Sequence, residues 1–173
     1  MSKTAAVVLA FLSLMLFSIP SKAQLLPSGN VYGAVGYASN VDVVNRLTFR
    51  GWEGSGEDDL FKRFPYLGLV LDGSGFYRKG VTQYNLVLGP RVFKNYGKWR
   101  VFADAMGGLQ EARSGGQGFH TVIVDLGGGV DRKFQFLFLK NFSWRLQFDY
   151  VHSHELSANQ NDFRGTVGLV WRF

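Results

Sequence analysis

The 173-residue chain contains no cysteine. That absence removes thiolate catalysis, zinc centres built on Cys ligands, disulfide staples and a lipid-modified N-terminal cysteine of the bacterial lipoprotein kind. Charge is also sparse: charged side chains make up 18% of the chain, few for a small soluble protein that must coat its surface. Beyond residue 23 no stretch keeps a helical period, and none approaches the ~18 apolar residues of a spanning helix. No linker or long low-complexity tract divides the remainder.

The first residues read as a targeting segment. Lys3 supplies a short positive region, Ala5–Ile19 an apolar run, and Pro20 its end. Ser21-Lys22-Ala23 places small residues for cleavage before Gln24. The expectation is a cleaved signal peptide over 1–23 and one domain over 24–173; a retained anchor is the alternative, disfavoured by the short apolar run. The formal charge is +6. The basic residues form no stripe, and the expected export signal argues against nucleic acid, so anionic lipid head groups are the expected acidic neighbour.

What the chain has in abundance is two-residue alternation. Runs of about ten residues, separated by Gly, Asn, Ser, Lys and Asp clusters, predict eight strands. They cover Asn30–Asp42, Leu47–Asp58, Tyr66–Arg78, Thr82–Phe93, Trp99–Glu111, Phe119–Asp131, Phe142–Ser153 and Asp162–Phe173. In the seventh, Phe142, Trp144, Leu146, Phe148 and Tyr150 oppose Ser143, Arg145, Gln147 and Asp149. In the last, Phe163, Val167, Leu169, Trp171 and Phe173 oppose Asp162, Arg164, Thr166, Gly168 and Arg172, with Val170 an apolar exception. The first two strands are glycine-rich, and their parity is ambiguous.

Alternation fits a soluble barrel with an apolar interior as well as a membrane barrel with an apolar exterior. Lysine placement separates them. Lys62, Lys79, Lys94, Lys98, Lys133 and Lys140 all fall in turns or at strand ends, whereas soluble sheets commonly carry Lys on the solvent face. The cations inside strands are Arg50, Arg91, Arg145 and Arg164, assigned to the polar parity with Asp72, Asp104, Asp125 and Asp149. Tyr66, Tyr84, Trp99, Phe142, Trp144, Trp171 and Phe173 lie near strand ends, where interfacial girdles form.

The expected fold is therefore all-β: an eight-stranded, antiparallel, up-and-down transmembrane β-barrel. Lipid cannot satisfy an open sheet edge, so the sheet must close. An eight-stranded interior is filled by side chains, which disfavours a pore. Asp72, Arg91, Asp104, Asp125, Arg145, Asp149, Arg164 and Arg172 are expected to pair in the lumen, because unpaired buried charge is costly. Gly127-Gly128-Gly129 suits tight curvature and close packing inside a narrow barrel.

Several segments carry a family resemblance. Gly168-Leu169-Val170-Trp171-Arg172-Phe173, Tyr84-Asn85-Leu86-Val87-Leu88-Gly89-Pro90-Arg91 and Asp125-Leu126-Gly127-Gly128-Gly129-Val130-Asp131 resemble those of small bacterial outer-membrane barrels of the OmpA/OmpX type. The resemblance implies residence in a Gram-negative outer membrane and contact with its lipids and lipopolysaccharide. It also implies handling by periplasmic chaperones and the outer-membrane assembly machinery, with Phe173 as part of the assembly signal. Both termini would face the periplasm. Val43–Arg46, Lys79–Val81, Ala112–Gln117 and His154–Asn161 would then be external loops, and Phe61–Pro65, Asn95–Lys98 and Arg132–Asn141 periplasmic ones.

One constellation could carry chemistry. His152, Ser153, His154 and Glu155 combine hydroxyl, imidazole and carboxylate near the predicted outer rim. The placement resembles outer-membrane lipid A deacylases, whose His and Ser lie two residues apart on one face. Here Ser153 directly follows His152 and points the other way, so the expected protein is not an enzyme and the acyl-transfer reading is an alternative. A metal ion on His152, His154 and Glu155 is a thinner one. No glycine-rich stretch has a phosphate-loop context, and no cofactor is expected.

Overall fold

A computed structural model describes residues 29–40, 47–58, 64–134, 140–155 and 158–173. Eight strands fill them: β1 (Gly29–Asn40), β2 (Thr48–Asp58), β3 (Leu67–Arg78), β4 (Val81–Tyr96), β5 (Trp99–Ser114), β6 (Gln117–Lys133), β7 (Phe142–Glu155) and β8 (Ala158–Arg172). Each pairs antiparallel with its sequence neighbour, and β1 pairs with β8, so the sheet closes into a barrel without an edge.

The register fixes the barrel's shape. From Arg100 the ladder runs through Asp131, Arg145, Gly168, Ala34, Glu53, Ser74 and Asn85 and returns to β5 at Gln110, ten residues further along. That stagger requires the strands to tilt around a narrow interior. Between β4 and β5 the pairing lapses only at Gly89 and Pro90, where proline offers no N–H; Leu88 still faces Gly107 and Arg91 still faces Asp104.

Several connections are shorter than the sequence suggests. Ser114 pairs with Gln117 around Gly115 and Gly116, whose φ angles of 58° and 85° are those a two-residue hairpin turn demands. Residues 112–117 are thus strand and tight turn, not a loop. Likewise 95–98 holds the end of β4 and a turn at Gly97. The expected loop at 154–161 is mostly strand, with His154 opposite Asn159. The expected segments 43–46, 61–63 and 135–139 lie outside the described residues.

Burial inverts the pattern of a soluble protein. Arg91 and Arg145 are fully buried, at 0% exposure, while outward Leu126 and Val167 are about half exposed, at 51% and 52%. Val35, Leu71, Leu86, Leu109, Val122 and Phe148 continue this apolar belt. The outer face carries the aromatic residues expected near strand ends, including paired Trp99 and Trp144, with ring centroids 5.8 Å apart. The lumen itself is the core.

Candidate functional site: the filled lumen

The inward parity of β1 to β8 stacks the barrel's charges at two levels. Nearer the termini, Arg91 is the hub. Its Nε donates to Asp104 Oδ2 (2.7 Å), its Nη1 to Glu57 Oε2 (3.2 Å) and its Nη2 to Gln147 Oε1 (3.5 Å). Glu57 also accepts from Arg100. Arg145 grips Asp131 through two hydrogen bonds of 2.7 and 3.0 Å, and Arg172 donates to the same carboxylate at 2.7 Å. Forked pairing of this kind suits the planar guanidinium.

Aromatic rings complete this level. Phe102 lies between two guanidinium groups, 4.2 Å from Arg91 Cζ and 4.4 Å from Arg145 Cζ. Arg145 also sits 4.7 Å from the Tyr32 ring, and Arg100 stacks 3.7 Å from Phe93. In a desolvated setting each such contact is worth up to about 2 kcal/mol. Gly129 makes room: a Cβ there would strike the Phe102 ring and the Leu146 carbonyl.

Further from the termini the balance reverses. Arg164 lies 3.5 Å from both Asp125 Oδ2 and Ser74 Oγ, and Glu53, Asp72 and Asp149 share its surroundings. Asp149 accepts from Gln147 Nε2 at 3.0 Å. Gly127 lies between the two levels, where a Cβ would meet the carboxylates of Asp149 above and Asp104 below. Beyond lies a cap with little charge. There Ala38, Phe49 and Phe76 pack together with Leu47 and Val81. A second apolar cluster, Val70, Val87, Met106, Ile123 and Val151, runs along β3–β7 beside the charged levels, with Val70 the ladder partner of Glu57.

The structure therefore brings together Arg91 with Asp104, Arg164 with Asp125, and Arg145 and Arg172 with Asp131. Two expected partners do not join an ion pair. No arginine among the described residues lies within ion-pairing distance of Asp72 or Asp149. Arg50 is a correction: it points outward, with its guanidinium 5.7 Å from the exposed Tyr37 ring. Phe49, not Arg50, occupies the inward parity of β2. The structure adds Glu53, Glu57, Arg100 and Asp131 to the lumen charges expected from the sequence. Asp131 and Arg100 sat on alternating strands and were legible; the two glutamates lie in glycine-rich β2, whose parity only pairing reveals.

At the far rim, His152 and Ser153, the two candidate catalytic residues whose side chains are described, do not come together. His152 Nδ1 lies 2.7 Å from Asn161 Oδ1, which also accepts from Tyr150 Oη at 2.6 Å. Ser153 faces the opposite way, 3% exposed, and its hydroxyl donates to the Gln160 carbonyl at 3.4 Å. Imidazole and hydroxyl are thus on opposite sides of the barrel wall, and no proton can pass between them as general-base catalysis requires. The side chains of His154 and Glu155 lie outside the described residues. Among those described, no three His, Asp or Glu side chains are placed to hold a metal ion.

A closed eight-stranded barrel, apolar outside and ionic within, is the fold of the small outer-membrane β-barrels. No protein-family model and no curated protein matches the chain in sequence. Solved structures do match in fold. Neisserial surface protein A superimposes with a TM-score of 0.68 at 11% identity, over 84% of this chain and 97% of that one. The N-terminal β-barrel domain of Pseudomonas aeruginosa OprF gives 0.60 at 16% identity, over 86% and 98%. Ail, the attachment invasion locus protein of Yersinia pestis, in complex with the heparin analogue sucrose octasulfate, gives 0.54 at 13% identity, over 84% and 99%.

Proposed function

We propose that this protein is a sealed, non-conducting barrel of the bacterial outer membrane with a structural or envelope-interaction role, and that it is not an enzyme. The observation that carries this reading is the lumen's filling. Two fully buried arginines clamp Phe102 across it, and the apolar cap of Ala38, Phe49 and Phe76 closes one level above. Water-filled channels need a wider barrel than eight strands provide.

In this reading residues 1–23 direct export and are removed. Periplasmic chaperones and the outer-membrane assembly machinery deliver the chain, with Phe173 as part of the signal they read. The end carrying Gly29 and Arg172 faces the periplasm. The other rim then meets the lipopolysaccharide leaflet, and its exposed Arg50, Arg78, Lys79 and Arg113 suit phosphate groups. Ail, a barrel of the same fold, has been solved in complex with the heparin analogue sucrose octasulfate, so a barrel of this fold can take an anionic ligand.

The test joins two measurements. Membrane fractionation with heat-modifiable gel mobility should find a folded barrel in the outer membrane. Planar-bilayer recordings of the same preparation should find no stable conductance. Discrete channel openings that survive purification would overturn the sealed reading, and a soluble protein would overturn the location.

A further inference from the structure

The outer face is not uniformly covered. On β1–β3 the outward positions Gly33, Gly54 and Gly73 are successive ladder partners, so bare backbone crosses three strands. Gly56 continues this strip toward the termini. A Cβ placed on Gly33 or Gly56 meets nothing within 4 Å, so close packing does not dictate glycine there; the missing side chains leave a trough. At the terminal end it deepens into a groove of about 310 Å³, walled by Val31, Leu69, Leu71, Leu88 and Phe173.

Asp58 lines the same groove. It has the outward parity of β2, opposite buried Glu57, and its Oδ1 is screened from solvent with no hydrogen-bond partner among the described residues. No other described acid lies on the outer face of this half of the barrel. Lys94, Lys98, Arg132, Lys133 and Lys140, which could hold lipid phosphates, lie elsewhere around the rim. A carboxylate that opens onto an apolar trough at a membrane interface calls for a ligand with a hydrocarbon chain and a cationic hydrogen-bond donor at one end.

We propose that the groove at Asp58 and Gly56 binds a glycerophospholipid with a primary ammonium head group: its acyl chain lies along the glycine trough and its ammonium group donates to Asp58. This rests on the outer-membrane reading and assigns the site to the periplasmic leaflet. A choline head group carries the same charge but no N–H to donate, and a glycerol head group has no cation. The carboxylate therefore discriminates among lipids that the apolar walls alone would accept equally.

Native mass spectrometry tests this on the detergent-solubilised barrel, given equal amounts of phosphatidylethanolamine, phosphatidylcholine and phosphatidylglycerol. Phosphatidylethanolamine adducts should exceed the others by roughly fivefold or more, the scale of one charge-assisted hydrogen bond. Asp58→Asn should abolish the preference, and Gly56→Leu should remove the adduct by filling the trough. Gly33→Leu, higher in the trough, serves if Gly56→Leu does not fold. Equal retention of the three lipids by the wild type, or an unchanged preference in Asp58→Asn, overturns the proposal. So does a dimer that Gly56→Leu dissociates while lipid adducts persist, which would assign the trough to a second copy. Heat-modifiable mobility of each variant reports the barrel independently, so failure of the lipid site and failure of the membrane reading are distinguishable.

Discussion

Arg145 and Asp131 are direct ladder partners on β7 and β6, and they face each other in the lumen through two hydrogen bonds with no solvent on either side chain. Asp131 simultaneously accepts from Arg172 on β8, so one carboxylate ties three consecutive strands together near the point of barrel closure. Removing it takes the hydrogen-bonding carboxylate from two guanidinium groups and leaves buried Arg145 only the more distant Glu57, at 3.9 Å. Asp131→Ala should lower unfolding stability by about 3–5 kcal/mol, the scale of an orphaned buried charge. Arg145→Lys should fall between, since an ammonium group cannot fork to both oxygens or stack on Phe102. Urea unfolding in lipid vesicles, followed by tryptophan fluorescence, measures both.

Two glycines make opposite predictions from the same substitution. Gly127→Ala places a methyl group against the carboxylates of Asp149 and Asp104 and should cost about 1–3 kcal/mol through overpacking. Gly33→Ala places it in open space on the outer face and should be neutral or stabilising by about 0.4–1 kcal/mol, by restricting the unfolded chain. The same unfolding assay ranks them; equal effects would contradict the assigned faces.

The apolar belt should resist charge. Leu169→Arg and Leu126→Arg, both outward and about half exposed, should each impair membrane folding by about 2–4 kcal/mol where they lie near the midplane. The folded fraction on unheated gels after refolding into vesicles checks this, and full tolerance of both would contradict a lipid-facing exterior.

Phe173 makes two backbone hydrogen bonds with Gly29 and packs its ring at a tilt against Trp171, with ring centroids 5.4 Å apart. If it is also read as an assembly signal, its deletion should reduce recovery of folded protein from cell membranes far more than it reduces refolding in vesicles. Equal losses in both settings would leave it only its structural contacts.

Strands with one apolar parity were legible from the chain alone. β7 alternates without exception from Phe142 to Tyr150, and each residue occupies the face that alternation assigns. Arg50 was misplaced because β2 offers glycine and serine where other strands offer leucine, so local pattern does not distinguish its faces. Pairing with β1 and β3 decides, putting Phe49 and Glu53 inside and Arg50 out. Glu57 was illegible for the same reason, though Arg91 and Arg100 both depend on it.

The sequence by itself determined eight amphipathic strands, the exclusion of lysine from their centres and the connections' approximate places, because side-chain direction alternates with every residue of an extended chain. Only the tertiary structure decided which charges meet. Closure with a ten-residue stagger brings Arg91 to Glu57, 34 positions away, and Arg164 to Asp125, 39 away, while no arginine among the described residues comes within ion-pairing distance of Asp72. Partners across a barrel are set by tilt and shear, which belong to the closed sheet as a whole and to no single strand.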